Sequence, residues 1–515
     1  MQWNELKPVL LAAVGLALAY PPVPAGFLVP FVLAYWFRHL QGLPPGTAFA
    51  RGYLFGVVLG TLTLYWIAVN TIAGAVLAIL INALQYAVLA WGFAWLYRRR
   101  PTLAWASLPL FWTALEFLRH FSDLRFNWLS LAYTQTYYLP FIQFIEWTGY
   151  LGLTALLVSL AVLWHRIQQL RKPLWREGAL FLLLIALPLA YGTARMKTLR
   201  SQMYPGIRAG LVQPNVNPWH KWEPSFQDSA YQMLEEATKH LVSQNPGVKL
   251  VVWPETATPF FLRHETAYLH RLQHLVDSLK LYLITGTPDY RYFPAEKDVH
   301  TYNAAFFFAP QEPGFQAYYK MALVPVAETM PFKSWLPFLR HIDVGGGDFF
   351  PGKEFTVFLA QMPFRAGHFQ NNRFVLLADS TAQSFRLGIS TVICFESVFP
   401  HLVRRFVQRG ARLLTIITND GWFGPTSGPQ QHARYAVLRA IENRVSIVRC
   451  ANTGVSLFVD MVGSVFNKLG YNRAGTAVGD LPIYNHPTFY TRHGDWPGWL
   501  SLLFTPLVFS MGVRR

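Results

Sequence analysis

The sequence predicts an α/β sandwich domain carried on a bundle of eight membrane-spanning helices, and three observations lead there. Hydrophobic residues make up 52% of the 515 and charged ones only 14%, too apolar a mixture for a chain that packs all of itself in water. Apolar stretches of the ~20 residues that a bilayer-crossing helix needs are confined to residues 1–195 and 496–515. Between them, residues 196–495 alternate strand-like and helix-like runs, the pattern of an α/β fold. The expected domains are therefore a transmembrane bundle over 1–195, an extracytoplasmic domain over 196–495 and a last membrane helix over 496–515.

The membrane stretches fall at about 7–20, 25–37, 52–69, 72–97, 102–118, 147–164, 178–195 and 496–512. The first two are short and separated by Pro21-Pro22-Val23-Pro24. Eighteen Trp and 24 Tyr suit a chain with two bilayer interfaces, where amphipathic rings collect. Alternate connections are basic: Arg38 and Arg51; Arg98-Arg99-Arg100; Arg166, Arg171, Lys172 and Arg176; and Arg514-Arg515. The others carry no basic residue or only Arg119 and Arg125, so the positive-inside rule puts both termini in the cytoplasm and residues 196–495 on the outer face. Ala17-Leu18-Ala19 admits a second reading as the end of a cleaved leader. Only Lys7 charges the residues before it, and cleavage would spoil the alternation, so the helix reading is kept. Glu116 and Arg119, one helical turn apart near a membrane boundary, are expected to form a structural ion pair.

A formal net charge of +17 raises the question of nucleic acid, and its distribution answers it. Residues 196–495 hold 29 Lys/Arg and 22 Asp/Glu, leaving +7, while the remainder holds 15 and 5, leaving +10. The excess per residue is larger in the apolar part, as orientation-setting loops require, so no nucleic-acid partner is expected.

Within the outer block, strands are expected at 206–213, 248–253, 281–287, 302–308, 386–393, 412–418, 446–450 and 454–460, and helices near 226–243, 264–279, 398–409 and 428–444. Residues 332–350 and 361–385 read as long loops. Phe332, Trp335, Leu336, Phe338 and Leu339 are too apolar for a solvent-facing loop, so the first of these dips into lipid or covers a site.

Three residues at strand ends carry the chemistry: Glu255 in Val251-Val252-Trp253-Pro254-Glu255, Lys320 in Tyr318-Tyr319-Lys320-Met321, and Cys394 in Ile393-Cys394-Phe395-Glu396-Ser397. Strand ends are where open α/β folds bind ligands. With Cys450 the chain's only other cysteine, a disulfide framework is not expected. A thiol of ordinary pKa about 8.5 and a carboxylate of about 4.3 differ by roughly 4 units, or about 6 kcal/mol against proton transfer. Burial of the carboxylate and an ammonium beside the thiol both narrow that gap, and Lys320 is the candidate ammonium. Taken singly, each residue also has a plainer reading: an inert buried thiol, a turn carboxylate after Pro254, a solvated strand-end charge. A membrane-tethered amidase would use the same three residues, and a transporter with a vestigial outer domain is the alternative from another class. His432 has no ligand-spaced partners, so no metal is expected, and no cofactor either.

A Glu, a Lys and a Cys on separate strand ends are the set of the nitrilase superfamily, and within it the chain resembles the apolipoprotein N-acyltransferases over nearly its whole length. The resemblance is carried by Trp253-Pro254-Glu255-Thr256-Ala257, Tyr319-Lys320 with Leu323-Val324-Pro325 and Glu328, Ile393-Cys394-Phe395-Glu396, and Thr418-Asn419-Asp420-Gly421-Trp422-Phe423-Gly424. Gln431-His432, Arg439-Ala440-Ile441-Glu442, Ala451-Asn452-Thr453-Gly454, Glu116-Phe117-Leu118-Arg119 and Glu146-Trp147-Thr148-Gly149 add to it. It implies a nitrilase-like αββα sandwich on an eight-helix membrane bundle, with Glu255 as general base, Lys320 as oxyanion stabiliser and Cys394 as nucleophile. It further implies supporting roles for Glu328, Glu396, Phe395 and Asn419, and substrate contacts for Trp222 and Trp422. Phe395 departs from the Tyr often found after the cysteine, which removes a hydroxyl. The implied reaction moves an acyl chain from the sn-1 position of a phospholipid, through a Cys394 thioester, to the amine of a diacylated apolipoprotein. The implied enzyme is a monomer, multi-pass in the bacterial cytoplasmic (inner) membrane, with its catalytic domain facing the periplasm.

Overall fold

The computed structural model describes residues 3–169, 175–333, 335–336, 338, 348–377 and 383–513. They form two compact units. The first comprises residues 1–196, 426–434 and 493–515. Its helices are α1 (Trp3–Ala17), α2 (Val29–Leu40), α3 (Pro45–Leu64), α4 (Ile72–Tyr97), α5 (Pro101–Leu118), the short α6 (Leu139–Ile142), α7 (Ile145–Gln169), α8 (Trp175–Arg200) and the last helix, α14 (Trp496–Val513). Among the described residues, five segments are long and apolar enough to cross a membrane: Pro45–Val69, Ile72–Tyr97, Ile145–Gln169, Trp175–Arg200 and Trp496–Val513.

Small residues set a close helix pair in this unit. Gly52, Gly56 and Gly60 line one face of α3, and a Cβ on Gly56 would sit 2.6 Å from the Ala83 Cα of α4. Without a hydrophobic drive between helices in lipid, such close backbone approach is how they associate. Glu116 and Arg119 form no ion pair, contrary to the sequence expectation. Glu116 accepts hydrogen bonds from Trp112 Nε1 (3.0 Å), Ser130 Oγ (2.7 Å), the Leu131 N–H (3.0 Å) and Thr154 Oγ1 (2.9 Å). Arg119 donates to Gln85 (2.6 Å), Asn82 and the Phe126 carbonyl. Neutral dipoles satisfy each buried charge separately, which sequence spacing alone does not reveal.

The second unit covers residues 197–425 and 435–492. Its strands are β1 (Tyr204–Gln213), β2 (Leu250–Val252), β3 (Tyr282–Phe293), β4 (Asp298–Phe308), β5 (Gln316–Tyr319), β6 (Phe358–Gln370), β7 (Arg373–Leu376), β8 (Gln383–Ile393), β9 (Leu413–Thr418), β10 (Ser446–Ala451), β11 (Ser456–Val459), β12 (Val465–Leu469) and β13 (Gly475–Pro482). Its helices are α9 (Pro224–Gln244), α10 (Thr266–Leu279), α11 (Pro400–Gln408), α12 (Gly428–Asn443, whose first turns belong to the first unit) and α13 (Phe489–His493).

The strands hydrogen-bond in the order β12-β11-β10-β9-β8-β6-β1-β2-β3-β4-β5, with β13 on β1 and β7 on β6. Long β6 joins two half-sheets, because Phe358 to Phe364 pair with β8 while Arg365 to Gly367 pair with β1. The halves face each other: on β10, Cys450 Sγ lies 3.2 Å from the carbonyls of Val212 on β1 and Val252 on β2. Outside one half, Tyr231, Leu234 and Leu241 of α9 and Leu272, Leu275 and Val276 of α10 bury against Val212, Val251 and Leu283. Helices outside and two sheets inside make an αββα sandwich.

The described residues of the expected loop over 361–385 are instead β6, β7 and the start of β8, and residues 378–382 lie outside the described ones. Pro363 and Gly367 broke the apolar alternation on which a strand is read. The turn signal was present: Asn371 and Asn372 both take positive φ (49° and 62°), and Gln370 pairs with Arg373 across a two-residue hairpin turn. In 332–350, Trp335 is 83% and Phe338 64% exposed, with Phe332 and Leu336 also outward; Leu339 lies outside the described residues.

Candidate active site

Parallel strands β2 and β8 end on the edge where the candidate residues meet. After β2, buried Trp253 donates to Thr238 Oγ1 (2.9 Å) and Pro254 opens a turn that presents Glu255. Thr256 then takes a left-handed conformation, φ 46°, which costs a β-branched residue roughly 1–3 kcal/mol. Strand β3 comes up against this turn through Gly286. A Cβ there would lie 2.6 Å from Glu255 Cα, Pro254 O and Thr256 N, so no other residue fits. The Gly286 N–H donates to the Pro254 carbonyl (3.1 Å).

Glu255 is buried, and its carboxylate is held from three sides. Oε1 accepts from Asn303 Nδ2 (2.7 Å) and faces Lys320 Nζ at 3.5 Å, while Oε2 accepts from the Asn419 N–H (2.9 Å). Lys320, just past β5, donates more closely to Glu328 Oε1 (2.7 Å), and Asn303 Nδ2 also reaches that oxygen (3.2 Å). Glu328 Oε2 accepts from the Val324 N–H (2.8 Å). Burial lowers the Lys320 pKa, but the charges of Glu328, Glu255 and Cys394 more than reverse that and leave it raised. The ammonium therefore stays charged.

Cys394 follows β8 directly and is itself left-handed, φ 51°, a second strained backbone at the same edge. Its thiol hydrogen-bonds with Thr418, and the charges of Glu255, Lys320 and Asp420 all act on it. Burial pushes the thiol pKa up, Glu255 and Asp420 add to that, and Lys320 and Thr418 do not compensate. The thiol is thus protonated at rest. Lys320 does pull the thiol downward, as expected, but one ammonium shared between two carboxylates is outweighed by desolvation, and the net shift is upward.

Glu396 joins the strand before Cys394 to the strand before Lys320. Its Oε2 accepts from the Ile393 N–H (2.8 Å), and its Oε1 from Tyr318 Oη (2.7 Å), the Met321 N–H (2.6 Å) and the Ala322 N–H (3.1 Å). One buried carboxylate thereby fixes the residue before Cys394 and the two after Lys320. Phe395 is buried edge-on to Phe399, centroids 5.0 Å apart. Asn419 accepts on Oδ1 from Asn452 (3.1 Å), while its own Nδ2 is buried without a partner among the described residues.

Trp222 is 42% exposed in the loop after β1, and its neighbour Trp219 meets Trp422 edge-on at 4.9 Å. The structure thus gathers Glu255, Lys320, Glu328, Glu396, Cys394 and Asn419 into one network, with the tryptophans on adjoining loops. Two participants were missed in the sequence: Asn303 and Tyr318. The readable signal was a polar Asn303 inside the apolar run 302–308.

These features define a class. Residues 208–484 match the carbon-nitrogen hydrolase family, and residues 12–163 match the apolipoprotein N-acyltransferase N-terminal domain. Saccharomyces cerevisiae Nit3, of the nitrilase superfamily, superimposes with a TM-score of 0.38 at 18% identity, covering 54% of this chain and 90% of its own. The apolipoprotein N-acyltransferase of Geobacter metallireducens is 32% identical over 98% of this chain and 95% of its own, and that of Chlorobaculum tepidum 29% over 94% and 92%. The chain belongs to the apolipoprotein N-acyltransferase family. It is a bacterial membrane-embedded acyltransferase whose family acts in the N-acylation of lipoproteins.

Proposed function

We propose that this enzyme takes an acyl chain from the sn-1 ester of a phospholipid onto Cys394 and passes it to the α-amine of a diacylglyceryl-cysteine at an apolipoprotein N-terminus. The observation that carries the reading is the convergence of two opposite charges on one thiol: Glu255 and Lys320 lie 3.5 Å apart, and both act on Cys394.

In the first half-reaction the Cys394 proton passes to Glu255 as sulfur attacks the ester carbonyl. The negative charge arrives on the former carbonyl oxygen, where the Lys320 ammonium stabilises it. Collapse breaks the ester C–O bond, and the departing lysophospholipid oxygen takes the proton back from Glu255. In the second, the neutral α-amine attacks the thioester and gives its proton to Glu255, and the thiolate leaves and is reprotonated. Glu328 keeps Lys320 from collapsing fully onto Glu255, and Trp222 and Trp422 contact the acyl chains.

Both substrates are lipids whose chains cannot leave a bilayer without meeting water, which accounts for a catalytic domain on a membrane base. The reading places 1–195 and 496–515 in the bacterial inner membrane as eight spans, with 196–495 on the periplasmic face of a monomer. The experiment uses the purified protein with phospholipid labelled in the sn-1 chain. A hydroxylamine-sensitive protein adduct and free lysophospholipid are expected, both lost in Cys394→Ala. An adduct that persists in Cys394→Ala, or forms only from an sn-2 label, refutes the assignment.

A further inference from the structure

We propose that Lys221 is a positioning residue of this reaction: its buried ammonium clamps the left-handed turn at Thr256, keeps the Glu255 carboxylate aimed at the thiol, and ties that turn to the loop bearing Trp222. The inference deepens the proposed function and rests on the role of Glu255 given there.

Lys221 is 3% exposed, an unusual burial for a lysine. Its Nζ donates to the Thr256 carbonyl (3.1 Å) and to Thr256 Oγ1, both on the residue after Glu255. The same nitrogen lies 5.3 Å from the Trp222 ring centroid, within cation–π range. Among the described residues it has no carboxylate in ion-pair contact, although the charge of Glu255 acts on it. Burial accordingly lowers its pKa to about 8.

A charge buried without a paired carboxylate is costly, and an apolar chain would brace the fold more cheaply. What an apolar chain cannot do is hold a carbonyl and a hydroxyl together in a strained backbone. On the near side of the turn, Gly286 fixes the Pro254 carbonyl (3.1 Å). On the far side, among the described residues, the only side chain bonded to the Thr256 carbonyl and hydroxyl is Lys221. Released there, Thr256 can relax toward an ordinary φ, and the preceding carboxylate turns with it.

The test compares full-length Lys221→Met, Lys221→Arg and Cys394→Ala, in phospholipid micelles. It reads the rate of adduct formation at saturating phospholipid, the phospholipid concentration at half-rate, and the melting temperature. Lys221→Met should form the adduct more than about tenfold more slowly, toward the ~100-fold that a 1 Å misplacement costs. Its half-rate concentration should be unchanged and its melting temperature no lower than wild type, and Lys221→Arg should regain part of the rate. A loss below about tenfold overturns the inference. So does a lowered melting temperature that Lys221→Arg does not repair, since that marks a structural brace. If Cys394→Ala keeps the adduct, the underlying reading of the site fails; if Cys394→Ala loses it while Lys221→Met reacts normally, only the role of Lys221 fails.

Discussion

Replacing Glu396 with Gln should cripple acylation while changing one oxygen to an NH2. Four donors converge on this carboxylate: Tyr318 Oη and the N–H groups of Met321 and Ala322 on one oxygen, and the Ile393 N–H on the other. A Gln amide keeps three of them at best, on its oxygen, and then points its NH2 at the Ile393 N–H. That leaves a buried donor unsatisfied, at about 1–3 kcal/mol. The three remaining bonds lose their charge assistance, which roughly halves each. Burial raises the Glu396 pKa, yet all four contacts are donors and suit the ionised form. The sum is on the order of 3–5 kcal/mol, and it falls on the link between the residue before Cys394 and those after Lys320. If half of it appears in the transition state, acylation slows by roughly 10- to 60-fold at about 1.4 kcal/mol per decade. The assay is the rate of hydroxylamine-sensitive labelling by sn-1-labelled phospholipid. Labelling within about threefold of wild type would refute the claim that this clamp sets the geometry.

Asn303→Leu removes the amide that donates to both Glu255 and Glu328, and should slow labelling about tenfold or more. Asn303→Asp should be slower still, because it adds a third carboxylate around one ammonium; an Asp variant as fast as the Leu variant would show that packing, not charge, is at stake. Lys221 gives a pH signature in stability. Its folded pKa of about 8 lies below the ordinary 10.5, so between those values the folded protein binds fewer protons than the unfolded one and stability rises with pH. Below about pH 8 the buried charge costs its full amount, on the order of 3 kcal/mol. The melting-temperature advantage of Lys221→Met over wild type should therefore be largest near pH 7 and shrink toward pH 10. An advantage independent of pH would refute this.

What the sequence disclosed was whatever leaves a local trace. Hydropathy marked the helices of the first unit, and the apolar runs before Glu255 and Cys394 marked β2 and β8. The Asn371-Asn372 turn and the Gly52, Gly56 and Gly60 face were equally written in the chain, but Pro363 interrupts the alternation that marks a strand, and a uniformly apolar helix shows no contrast between its faces. Other features have no local signature. Tyr318 and the backbone of Met321 reach Glu396 across 78 and 75 residues. Asn303 becomes a bridge only when β4 and β5 bring Glu255 and Lys320 to it. The protonation of Cys394 is a balance between burial and four neighbouring groups, and no spacing rule weighs them.

Charge bookkeeping explains why a protonated thiol suits the proposed reaction. At rest the innermost groups are two carboxylates, Glu255 and Glu328, and one ammonium, Lys320, a net single negative charge. A resting thiolate would double it in a buried site, which is the direction in which the thiol resists. When the thiol proton moves to Glu255 the net charge is unchanged, and the negative charge has only shifted from carboxylate to sulfur. It shifts again to the carbonyl oxygen as the tetrahedral intermediate forms, and in the second half-reaction retraces the route. Lys320 attends each stop, and Glu328, at 2.7 Å from its Nζ, keeps the ammonium from following the proton onto Glu255. A site that moves one charge among fixed partners needs little reorganisation at any step, and that economy requires the sulfur to start neutral.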